Sequence, residues 1–105
     1  MKILKDLGVD EISFGASINN WWSSTQNEGV IESFNPSNGK LLGKIYQCSV
    51  DDYEHVILES QKAFKEWRMV PAPVRGQLIL EMANELRAKK DLLGSLVALD
   101  MGKIK

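Results

Sequence analysis

The sequence predicts an α+β chain, a β-hairpin followed by three helices, behind an irregular leading segment. Three observations carry that prediction. The run Asn35-Pro36-Ser37-Asn38-Gly39-Lys40 is a turn signal between two stretches rich in β-branched, aromatic and apolar residues. Downstream of it, apolar residues recur at steps of three and four from Tyr53 to Leu99. A length of 105 residues, with 44% hydrophobic and 26% charged residues and a net charge of −1, is that of one ordinary globular domain or a piece of one.

The elements follow in order. Lys2–Leu7 suits one or two turns of helix stopped by Gly8. Gly15–Gly29, rich in Ser, Asn, Gly and Trp, has no sustained periodicity and reads as a loop with Trp21 and Trp22 as its anchors. Paired tryptophans in a polar loop are expected to plug onto a neighbouring surface, within the chain or between subunits. Residues 1–29 therefore form an N-terminal extension and loop, and residues 30–105 the hairpin and helices. Val30–Phe34 and Leu41–Cys48 are the hairpin strands, so the hairpin spans 30–48. Pro36 presets φ for the turn, and Asn38-Gly39 supplies positions that tolerate φ above zero. Alternation is imperfect, because Ile31 and Ser33 oppose Val30, Glu32 and Phe34. A ribbon covered on both faces, or one whose edge is paired with something else, accounts for that.

Ser49 and Asp52 make an S-x-x-D capping box at the start of a helix over about 50–68. Its apolar face is Tyr53, Val56, Ile57, Ser60, Ala63, Phe64 and Trp67. Pro71-Ala72-Pro73 closes that helix and opens a second over about 73–90, since proline fits a first turn that needs no N–H. Leu78, Ile79, Met82, Ala83 and Leu86 form its stripe, and Lys89 and Lys90 suit its negative end. Asp91 is placed to cap a third helix over about 91–101. Leu92, Leu93, Leu96, Val97 and Leu99 surround that helix almost entirely, so it expects burial from more than one side.

Few residues carry chemistry. Gly39–Lys44, GKLLGK, has one residue too few between its glycines for a phosphate loop, and Ile45 stands where a magnesium-holding hydroxyl would be. No G-x-G-x-x-G occurs. Cys48 precedes a helix start and His55 lies about two turns along that helix. A bond between them would require both side chains to bend past the capping turn, so Cys48 reads as a small buried hydrophobe and His55 as a boundary residue. Asp51, Asp52 and Glu54 imitate an acid pair, but capping explains them. Arg75 is the most interesting charge: a guanidinium at a helix start faces the unfavourable end of the dipole, so something else must hold it, by default an ion pair or a carbonyl, with a bound anion as the lesser alternative. The sequence assigns no catalytic, cofactor-binding or metal residue.

Composition closes other classes. A near-neutral, interspersed charge gives no long-range pull on nucleic acid. No apolar run approaches the roughly eighteen residues of a membrane span. A single cysteine makes no internal disulfide and fits a reducing cytoplasm, and a single histidine makes no multi-histidine metal site.

The pieces FNPSNGKLLGKI, SVDDYEHVILESQKAFKEWRMVPAPVRGQLILEMANELRAKKDLLGSLVALDMGK and the closing Asp-x-Gly-Lys together resemble the beginning of an aldehyde dehydrogenase. DYE, PAPVRG, LGSLVALDMGKI and the front LKDLGVD resemble the antiquitin branch, the α-aminoadipic semialdehyde dehydrogenases. The likeness runs the length of the chain and is weakest over Asn19–Gly29. It implies that residues 30–105 are an incomplete part of an NAD(P)-binding α/β domain, their helices flanking the cofactor-binding sheet. It also implies an enzyme that oxidises an aldehyde to an acid: a cysteine forms a thiohemiacetal, hydride passes to the nicotinamide, and a glutamate activates water. In the family those groups lie beyond this stretch, and Cys48 does not align with the nucleophile.

On that resemblance the end at Lys105 is expected to be an interruption, and the chain a non-catalytic N-terminal fragment. Its partners are expected to be the remainder of the dehydrogenase subunit, or further copies meeting through exposed apolar helix faces. The rival reading is a free-standing helical interaction module derived from such an enzyme. A small enzyme built on Cys48 and His55 is the remotest.

Overall fold

The turn at Asn35–Lys40 organises the strands around it. In the computed structural model, which describes all 105 residues, the Asn35 N–H donates to the Lys40 carbonyl at 2.9 Å and the Gly39 N–H to the Asn35 carbonyl at 2.8 Å. Gly39 takes the left-handed backbone (φ 68°), whereas Asn38 does not, contrary to the expectation from sequence. Asn38 acts through its side chain instead, Oδ1 accepting from the Lys40 N–H at 3.0 Å, as Asn35 Oδ1 does from Ser37 at 2.9 Å.

Nine elements result: α1 (Lys2–Asp6), β1 (Ile12–Phe14), β2 (Ser17–Ile18), β3 (Trp21–Trp22), β4 (Val30–Phe34), β5 (Leu41–Tyr46), α2 (Val50–Trp67), α3 (Ala72–Ala88) and α4 (Lys90–Met101). β4 and β5 pair antiparallel, Val30 opposite Tyr46, with an irregularity after Ser33. The hairpin thus closes at Tyr46. Cys48 lies beyond the strand, where the chain turns into the Ser49 cap.

The leading segment holds more structure than its composition suggests. β1 pairs parallel with the outer edge of β5, Ile12 opposite Lys44, giving a sheet ordered β1-β5-β4. This is the extra partner that the imperfect alternation of the hairpin called for. Phe14 and Tyr46, neighbours across that ladder, stack at 5.6 Å. The expected loop at Gly15–Gly29 contains a second small ladder, Ile18 opposite Trp21, turned by Asn19 at φ 53°. Asparagine is among the few side chains that tolerate this conformation.

α2 begins as its capping box predicts. Ser49 Oγ accepts from the Asp52 N–H at 3.1 Å, and Asp52 Oδ2 accepts from the Ser49 N–H at 3.1 Å. α3 opens on Pro71-Ala72-Pro73. The boundary after it differs from expectation. Asp91 does not cap α4, which has no side-chain cap at all; Lys89 ends α3 and starts α4, its N–H reaching Glu85 and Leu86 and its carbonyl accepting from Leu93. Lys89, the single residue between the helices, takes the cap position, so Asp91 sits inside the first turn, 3.6 Å from Lys105 Nζ. Lys90 likewise opens α4 rather than closing α3. Gly102, left-handed at φ 67°, ends α4 against Pro36 of the hairpin turn.

α1 and α4 pack together beside the sheet: Leu4 reaches Gly43, and Ser33 Oγ donates to Asp100. Leu4 and Leu42 are the only buried hydrophobic residues. No two of α2, α3 and α4 pack extensively against each other. The radius of gyration is 16.9 Å, against about 13 Å for a compact chain of this length. The molecule measures 49 × 36 × 19 Å, a slab.

Candidate functional site

Asp52 is the best-held polar group in the molecule. Besides the box with Ser49, its Oδ2 accepts from Ser23 Oγ and Thr25 Oγ1, each at 2.6 Å, and Ser23 Oγ in turn accepts from the Thr25 N–H at 3.1 Å. Donation by Ser23, then Thr25, then the Ser49 backbone holds the carboxyl at about 2, below its ordinary 3.8. Trp21 completes the clasp: its ring meets that of His55 edge to face at 4.6 Å. The Asp52 carboxylate therefore ties the leading segment to the start of α2. Ser23 and Thr25 were missed from the sequence, because nothing local marks a bond spanning 27 and 29 residues.

The other candidate residues do not assemble. Cys48 is half-buried with no disulfide, and His55 is exposed and engaged with Trp21; no hydrogen bond joins the two. Asp51 and Glu54 are exposed on α2. Lys44 pairs with Glu32 across the β4–β5 ladder at 2.6 Å, which raises the lysine's pKa through that hydrogen bond. No group of His, Cys, Asp and Glu is disposed to hold a metal ion.

The glycines of the GKLLGK stretch do not form a phosphate cradle. Gly39 serves the hairpin turn, and Gly43 lies in β5, where an added Cβ would stand 3.3 Å from the Glu11 carbonyl. Gly43 thus admits a neighbouring strand and not a pyrophosphate. No strand feeds a glycine-rich turn into a helix start.

What the structure does present is uncovered apolar surface. A cleft of about 320 Å³ opens between α1, α4 and the sheet, walled by Val9, Ile31, Leu42, Leu96 and Met101. A second concavity, along α3 and α4, is walled by Leu7, Met82, Leu86 and Leu93. The α3 stripe is open to solvent, Ile79 at 59% and Leu86 at 61% exposure, as are Tyr53 and Phe64 on α2 and Trp22 on β3. Of the paired Trp21 and Trp22, only Trp21 finds a surface within the chain. Arg75 does not find the holder expected of it: it enters no ion pair, and its Nε is enclosed without a hydrogen-bond partner.

Residues 21–105 match the aldehyde dehydrogenase family. The chain belongs to that family. It is 42% identical over 101 residues to aldehyde dehydrogenase family 7 member A1 of Pisum sativum and 40% identical to its putative homolog in Caenorhabditis elegans. It is 38% identical to the α-aminoadipic semialdehyde dehydrogenase of Rattus norvegicus. Each likeness covers 96% of this chain, which spans 20%, 18% and 18% of the length of those relatives. No helix is long and apolar enough to cross a membrane.

Proposed function

We propose that this chain is an N-terminal structural part of an NAD(P)-dependent aldehyde dehydrogenase, one that frames the enzyme and takes no direct part in its chemistry. The observation that carries the reading is the open helices: in a chain of this family, α2, α3 and α4 turn apolar side chains to solvent while only Leu4 and Leu42 are buried. A large apolar side chain contributes about 1.5–3 kcal/mol only once it is fully covered. The cover is the remainder of a dehydrogenase subunit, whose relatives are some five times longer than this chain. Nucleophile, water-activating carboxylate and dinucleotide site belong to that remainder. The names of the rat, bovine and mouse relatives make α-aminoadipic semialdehyde the substrate to try first. The single cysteine, Cys48, supports a reducing, cytoplasmic setting.

The test has two arms. Titrating the chain with NAD and then NADP, followed by tryptophan fluorescence, is expected to give no saturable signal. Co-expressing it with the pea relative from which the matching segment has been deleted is expected to restore NADH formation from the semialdehyde, with neither chain active alone. Saturable dinucleotide binding or aldehyde oxidation by the chain itself would overturn the proposal.

A further inference from the structure

We infer that α3 is the face that docks on the rest of the subunit, and that Arg75 in its first turn binds a carboxylate carried by the covering segment. The inference rests on the reading just given. Arg75 lies within the stripe of α3: Leu78 and Ile79 follow it by three and four residues, Met82 by seven and Leu86 by eleven, all on its side of the helix. A guanidinium in that position faces the positive end of α3, which has no side-chain cap to offset it.

Its own helix offers it nothing. The positions from which a neighbour could reach it are Pro71 and Ala72 before and Leu78 and Ile79 after, none of them acidic. Glu81 and Glu85, six and ten residues on, are about 9 and 15 Å further along the axis. No other element supplies a partner, and Nε is already shielded from water.

Covering the stripe removes the water that solvates the remaining guanidinium nitrogens. A cationic group left in that state is strongly unfavourable unless an opposite charge accompanies it. The planar fork of arginine matches a carboxylate with two parallel hydrogen bonds, which a carbonyl does not reproduce. The partner chemistry is therefore an Asp or Glu flanked by apolar side chains, and the part of the relatives this chain does not span is long enough to provide it.

Three forms of the chain, unaltered, Arg75→Met and Arg75→Lys, are co-expressed with the same deleted pea relative, and the amount captured is read against helical content by circular dichroism. Arg75→Met keeps the apolar length of the side chain and loses the charge, and is expected to lower capture about tenfold or more; Arg75→Lys, keeping charge but not the fork, is expected to fall between. Capture by Arg75→Met equal to that of the unaltered chain overturns the inference. Should Arg75→Met lose helicity, Arg75→Lys decides, and full capture by it overturns the two-pronged pairing. A loss of self-association in place of capture points to a second copy as the occupant and also overturns it. If the unaltered chain captures nothing, the proposed function itself fails, which distinguishes the two.

Discussion

Asp52 does two jobs with one carboxylate. Its bond to the Ser49 amide is local and could be read from a serine and an aspartate three residues apart; its bonds to Ser23 and Thr25 depend on how the chain folds back, and no spacing announces them. Its folded pKa, about 2, lies below the ordinary carboxylate value. The stability it supplies is therefore complete above about pH 4 and is lost as pH falls toward 2. Acid unfolding followed by tryptophan fluorescence should steepen over that window, and Asp52→Asn should flatten it; an unchanged acid limb in the variant would refute the clasp. Arg75 shows the opposite case. Its awkward position against the helix dipole was legible, but the default holder was not found within the chain.

At the scale of elements, signals within a few residues of each other were readable. The Ser49–Asp52 box, the proline pair opening α3 and the Asn-Gly hairpin turn each place an element within a residue or two. β1 was not readable, since three residues are too few to establish alternation, and a parallel strand owes its existence to a distant edge. The Ile18–Trp21 ladder is shorter still, and its only local sign is the Asn19-Asn20 turn. Close approach makes β1 testable: a Cβ on Gly15 would stand 2.7 Å from the Tyr46 carbonyl, a backbone atom with nowhere to go. Gly15→Ala should cost about 1–3 kcal/mol in denaturant unfolding and raise amide exchange along the β1–β5 ladder. Unaltered exchange there would show that the two strands do not lie this close.

For the whole molecule, exposure outweighs burial. The accessible surface is 8250 Å², against about 5,900 Å² for a compact monomer of this mass. Several apolar side chains between Leu78 and Val97 stand open, Ile79 and Leu86 the most. What covers them was not legible, because sequence spacing records that a face is apolar and says nothing of its neighbour. Sedimentation at tens of micromolar should give a mass above the 11.8 kDa monomer, and the pair Ile79→Asp and Leu86→Asp should shift it down. A concentration-independent radius of gyration near about 13 Å would contradict this.

The 19 Å thickness carries a consequence for the life of the polypeptide in a cell. A slab so thin has almost no dry interior, so little resists local opening, and its oily helices are what holdase chaperones grip and processive proteases pull upon. Its abundance would then follow the supply of whatever shelters it: plentiful company prolongs its survival, and solitude hastens its destruction.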